Sequence, residues 1–383
     1  MAGRFDPRTP TAARGGRVAV PTGTRTPAAR PADARPVADP RPADARPVAD
    51  PRPADARPVA SARPVADPRP AASARPAAKG RHWAPGAPVD LGLVLGPLRR
   101  GPGDPTFRTT PDGSVWRATR TPQGPATLRV SRAGTEVAAE AWGPGADWIL
   151  DQLPALLGAG DDPAVFVPRH RLVHASHRRR PGLRLTRTGL VLESLIPTVL
   201  EQKVTADEAY RAWRRLVRQY GEPAPGPHVA GRHGLGLHVM PTAHTWAMIP
   251  SWDWHRAGVD AKRSATIIRA ARLANRMEEA AAMELPQAAA RLEAVPGIGP
   301  WTSAETLQRT NGDPDAVTTG DLHLPGIIGY ALAGDRDADD AVMLELLAPY
   351  AGQRHRAARL ILLAGHTPPR RAPRMYRNDI GLI

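Results

Sequence analysis

Cysteine is missing altogether from the 383 residues. That absence excludes disulfide staples, thiolate-ligated zinc and iron–sulfur clusters, and it fits a reducing compartment, the cytoplasm. Aromatic residues are scarce at 4%, and most are tryptophan: 9 Trp stand against 5 Tyr and 3 Phe. No apolar run is long enough to cross a membrane. The opening stretch MAGRFDPRTPTAARGG lacks the continuous apolar core of an export signal, so none is expected. Acidic charge is also short, with 37 Asp and Glu against 52 Lys and Arg, a net of +15. Such a balance suits a polyanionic partner and says nothing about fold.

Proline is abundant, and its placement divides the chain. Residues 1–80 consist almost wholly of Ala, Pro, Arg, Asp and Val, and the unit RPVADPRPADA begins at Arg35, repeats at Arg46 and decays after Arg57. A repeat offering only Ala and Val has no apolar face to stack as a solenoid, and proline withholds backbone donors, so this segment is expected to be a disordered tail. It carries 15 basic against 7 acidic residues, about half the excess positive charge. A solubilising extension and a non-specific hold on a polyanion are both open readings of it.

Residues 81–185 read as a small antiparallel sheet with a helix. PDGSVWRATR, TPQGPATLRVSRAG and TEVAAEAWG are strand-like runs separated by hairpin signals, and ADWILDQLPALLG is helical. The basic stretch RHRLVHASHRRRPG follows; its Arg169, Arg171, Arg178, Arg179 and Arg180 read as a solvated face or as phosphate contacts, and His170, His174 and His177 lack the acidic company of a metal site. Residues 186–368 then turn helical, leaving 369–383 as an extension. In TADEAYRAWRRLVRQYG, Thr205 and Glu208 form a capping box, and Ala209, Trp213, Leu216, Val217 and Tyr220 recur at helical spacing before Gly221. DAKRSATIIRAARLANRMEEAAAM reads as one longer helix and LPQAAARLEAV as the next. The fold class is α+β, a small sheet subdomain followed by an all-helical one.

The segment VPGIGPWTSAETLQ carries the main functional signal. A helix ends near Val295, Gly297 and Gly299 supply positive φ for a tight turn, and Pro300 opens the next helix, where its missing N–H costs nothing. Backbone amides at such a helix start bind phosphate without reading bases. Downstream, GDPDAVTTGDLHL brings Asp321 to the start of another helix, where it serves equally well as an N-cap or as a reactive carboxylate. Asp313 and Asp315 read as turn residues.

Together, Leu292 to Leu324 resembles the helix-hairpin-helix DNA glycosylase superfamily, and within it the bacterial 3-methyladenine DNA glycosylase II group. VLESLIPTVLEQKVTADEAYRAW and HRAGVDAKRSATIIRAARLA resemble the helices that precede the hairpin in that family, so the likeness runs from about Trp83 to Gly365. It implies an enzyme that needs no metal or cofactor, acts as a monomer on double-stranded DNA containing damaged bases, and associates with the nucleoid of a bacterial cytoplasm. Asp321 corresponds to the family's catalytic acid. Gly297, Gly299 and Thr302 of the hairpin, with Gln202 and Lys203 of LEQKVT, correspond to DNA-binding positions, and Trp301 and Glu305 to the base pocket.

Bifunctional members place a lysine where Trp301 stands, so the resemblance implies a monofunctional enzyme that leaves an abasic site. Lys203 replaces a bulky apolar gap-filler, and Glu305 an aromatic residue. Trp246, Trp252 and Trp254 of HTWAMIPSWDW can line the pocket or the core. The alternatives to an alkylated-purine glycosylase are a noncatalytic helix-hairpin-helix protein that binds damaged DNA and a glycosylase for oxidised bases.

Overall fold

The computed structural model describes residues 77–226 and 235–369. The repeat-bearing tail and the C-terminal extension beyond residue 369 lie outside the described residues. The sheet has five antiparallel strands, β1 (Lys79–Trp83), β2 (Phe107–Thr109), β3 (Val115–Thr121), β4 (Gly124–Ala133) and β5 (Glu136–Trp142), in the order β1-β5-β4-β3-β2. The three central strands are those marked by the sequence pattern. The edge strands escape that pattern because each is short and pairs on one side only. β1 also begins at Lys79, inside the stretch assigned to the tail.

Both faces of the sheet are covered, which explains why β3 is buried at nearly every position instead of alternating. On one face α1 (Leu91–Leu95), α2 (Ala146–Asp151) and α3 (Leu153–Leu156) contribute Val94, Leu95, Ile149, Leu153 and Leu156 to a core with Leu128 and Ala141. The expected single helix here is two, because Pro154 falls at the start of the second. On the other face Trp116 stacks on Trp142 at 5.6 Å, under a two-strand ribbon, β6 (Glu222–Pro223) and β7 (His238–Val239).

The helical part is built around α5 (Val191–Leu200), whose residues are buried all round except Glu193. α4 (Arg171–Arg178) precedes it. α6 (Ala206–Tyr220), α7 (Ala243–Met248), α8 (Ser251–Arg256), α9 (Ala261–Arg272) and α10 (Ala274–Glu278) follow, then α11 (Leu285–Glu293) and α12 (Pro300–Thr310). The Thr205–Glu208 capping box is formed as the sequence indicates. The long helix expected from Asp260 instead breaks at Leu273, and Glu278 at the end of α10 accepts the Val191 and Leu192 amides at 2.7 and 2.9 Å. The broken helix thereby caps the central one, a tertiary gain that outweighs local continuity. Trp213, Trp246 and Trp254 stack in series in the core, whereas Trp252 is exposed.

A third cluster joins α13 (Leu324–Ala333), α14 (Asp340–Leu347) and α15 (Arg354–Ala364) to Val173 of α4. The basic stretch is therefore a helix with one apolar edge, and its His170 ring contacts the Tyr350 hydroxyl at 2.8 Å. Polar ties fasten the sheet to the helices: Glu193 of α5 accepts from Arg117 and Thr119, Arg100 pairs with Glu201 at 3.0 Å, and Asp104 accepts the Trp213 indole at 3.0 Å. No helix among the described residues is long and apolar enough to cross a membrane.

Candidate active site

Three segments meet at one end of the helical part: the α5–α6 link holding Gln202 and Lys203, the hairpin between α11 and α12, and the turn before α13 that carries Asp321. The hairpin is shaped by one glycine above all. Gly297 has φ +99°, and a Cβ there would fall 2.0 Å from the Thr266 hydroxyl of α9. Gly299 does not share that conformation. It sits at φ −117°, ψ −175°, extended backbone open to any residue, and space around it is free.

The polar groups of the turn divide by whether they are satisfied. Two carbonyls are taken: Pro296 accepts from Arg269 at 2.8 Å, and Gly297 accepts from the Gln202 amide at 3.0 Å. The amides of Gly297, Gly299, Trp301 and Thr302 have no acceptor among the described residues. With the positive end of the α12 dipole behind them, they form an electropositive cradle with the geometry that anions seek. Arg269 is a member of this site that the sequence pattern did not single out; its signal is a basic side chain on the helix that backs the turn.

Gln202 also donates to the Thr302 hydroxyl at 2.8 Å, so both residues spend their side chains bracing the turn. Thr302 is buried, and its free amide is what remains for a ligand. Lys203 is exposed and has φ +55°, the one non-glycine residue with positive φ among those described. A lysine in the left-handed region is uncommon, and the bracing of its neighbour Gln202 fixes the link that holds it there.

Asp321 divides its carboxylate between two tasks. Oδ1 accepts the His323 and Leu324 amides, each at 2.8 Å, and so caps α13, while Oδ2 accepts the Trp301 indole N–H at 3.0 Å. Partial burial pushes its pKa up, but the Trp301 indole and the two amides outweigh that and leave it below the ordinary carboxylate range. It is therefore an anion at neutral pH. Trp301 lies in the first turn after Pro300, so this one indole links the hairpin to the acid.

Glu305 lies one turn beyond Trp301 on the same helical face but does not carry a free charge. It pairs with Arg309 at 2.7 Å, and Arg309 also donates to the Pro97 carbonyl at 3.0 Å. Asp313 accepts the Asp315 and Ala316 amides and Asp315 pairs with Arg354, which keeps both in the turn. Among the described residues no group of His, Asp and Glu is arranged to hold a metal ion.

The chain is similar to known proteins in sequence and in fold. Over 147 residues the chain is 34% identical to the probable bifunctional transcriptional activator/DNA repair enzyme AlkA of Mycobacterium tuberculosis; the match spans 38% of this chain and 28% of that relative. The 3-methyladenine DNA-glycosylase of Archaeoglobus fulgidus superposes with a TM-score of 0.58 at 17% identity, covering 74% of this chain and 96% of that one. The 8-oxoguanine glycosylase/lyase of Clostridium acetobutylicum, solved with double-stranded DNA, gives 0.57 at 11% identity, covering 72% and 91%.

The chain has the helix-hairpin-helix DNA glycosylase fold.

No family model matches. Within this fold the free amides belong to the hairpin, and the link holding Gln202 and Lys203 packs against it. Asp321 stands within one hydrogen bond of the helix that the hairpin opens.

Proposed function

We propose that the chain is a monofunctional DNA N-glycosylase that extrudes an alkylated purine of the 3-methyladenine type from duplex DNA and hydrolyses its bond to deoxyribose. The observation that carries this reading is the Asp321 carboxylate, hydrogen-bonded by the Trp301 indole at the edge of a turn whose amides are free. The hairpin amides take a backbone phosphate near the lesion, and Lys203 and Arg269 add positive charge around it. The flipped nucleotide then brings its sugar to Asp321.

An alkylated purine already carries positive charge, so the C1′–N bond breaks with the electron pair leaving on the base, which departs neutral. Positive charge develops on the sugar, and the Asp321 carboxylate stabilises it. Water adds to C1′ and gives up its proton toward Asp321. Trp301 keeps the carboxylate ionised and turned toward the hairpin. It supplies no amine, so no Schiff base forms and the strand is left uncut. The chemistry requires neither metal nor cofactor.

The names of the Mycobacterium tuberculosis and Archaeoglobus fulgidus proteins favour alkylated bases over the oxidised base named for the Clostridium acetobutylicum enzyme. The test is release of methylated purines from alkylated duplex by the purified protein. Asp321→Asn, which keeps an oxygen to cap α13, is expected to abolish release and spare DNA binding. Full activity in that variant removes Asp321 from the reaction. Intact binding with no release of alkylated, deaminated or oxidised bases by the unsubstituted protein turns the reading into that of a noncatalytic damage-binding protein.

A further inference from the structure

Extruding a nucleotide leaves a gap in the base stack, and proteins that unstack DNA fill such gaps with apolar side chains. Lys203 does not suit an apolar wedge, since placing its ammonium between stacked base faces costs desolvation, though it can reach a phosphate or an orphaned base edge. The turn on the other side of Trp301 presents a leucine instead. Leu322 is 78% exposed, the most exposed large apolar side chain among the described residues, and it joins none of the hydrophobic clusters.

Its position is fixed. On one side the Gly320 amide donates to Asp340 at 2.7 Å; on the other the His323 and Leu324 amides are held by Asp321 at 2.8 Å. Leu322 is thus a rigidly presented apolar knob directly beside the acid, at the end of the molecule where the hairpin amides are free. A lone exposed leucine needs no explanation elsewhere on a protein surface. One pinned next to the reacting carboxylate does.

We infer that Leu322 is the wedge that enters the duplex and holds the nucleotide out of the stack, with Lys203 left to the phosphates. This rests on the glycosylase reading above. The experiment compares single-turnover base release from a fully paired duplex and from the same lesion in a single-nucleotide bulge, where the stack is already interrupted. Leu322→Ala is expected to slow release from the paired duplex about tenfold and to leave the bulge unaffected, and Leu322→Met to restore the paired rate. An equal loss on both substrates, or no loss on either, overturns the wedge.

A second readout does not depend on catalysis. 2-Aminopurine placed opposite an abasic site should change fluorescence when the unsubstituted protein binds, and change less with Leu322→Ala at saturation; equal changes also overturn the inference. Absence of base release from either substrate by the unsubstituted protein counts against the glycosylase reading, and the fluorescence comparison then decides the wedge by itself.

Discussion

The hairpin and the Asp321 turn lie one hydrogen bond apart and work by opposite means. The hairpin offers its backbone: two carbonyls are tied by Arg269 and Gln202, the amides of Gly297, Gly299, Trp301 and Thr302 are left free, and the side chains serve the shape. The Asp321 turn has its backbone pinned and presents a carboxylate. A backbone device fails when its conformation is lost and tolerates changes of side-chain chemistry; a side-chain device behaves the other way round. Substitutions in the two segments should therefore damage different steps.

After the complete loss of release expected of Asp321→Asn, the largest effect expected within this comparison is that of Gly297→Ala. At φ +99° with Thr266 2.0 Å from the new Cβ, the turn cannot keep its shape, and affinity for duplex DNA should fall on the order of a hundredfold by titration. Gly299→Ala should do far less, because Gly299 is extended and unobstructed. Equal losses in the two variants would break the account of the hairpin.

Next comes Trp301→Phe, which keeps a ring and removes the N–H that reaches Asp321. Single-turnover release should slow about tenfold, roughly one charge-assisted hydrogen bond, with affinity little changed. A loss of affinity without a loss of rate would place Trp301 with the grip and not with the chemistry.

The smallest effect expected is none at all. The Asp321 pKa lies below the ordinary carboxylate value, so the group stays charged as pH falls from neutrality and loses its charge only below the ordinary carboxylate range. The release rate constant should show no acid-side decline between about pH 8 and 5. A midpoint near 6 would mean that the Trp301 and amide bonds do not hold the carboxylate as described.

Much of this division was legible in the sequence, but unevenly. The glycine spacing and Pro300 announced a tight turn into a helix start because backbone conformation leaves a mark on residue choice. They did not show that only Gly297 needs positive φ, since that depends on Thr266 from a helix about thirty residues earlier. Asp321 was legible as a residue at a helix start; that one oxygen takes the helix amides while the other takes the Trp301 indole required the position of Trp301. Gln202 and Thr302 correspond by resemblance to DNA-binding positions, and the structure adds that their side chains brace the turn; Glu305, assigned by resemblance to the base pocket, pairs with Arg309. Strands β3 to β5 followed from turn signals. The edge strands and the break at Leu273 did not, because both are decided by partners distant in sequence.

The most direct test of grip and chemistry as separate devices measures duplex affinity and the single-turnover release rate at saturating protein for Asp321→Asn and Gly297→Ala side by side, with melting curves to establish folding. Asp321→Asn should bind like the unsubstituted protein and release no base, and Gly297→Ala should bind poorly yet release at nearly the normal rate once saturated. If either folded variant loses both properties together, the hairpin and the acid are not separate devices.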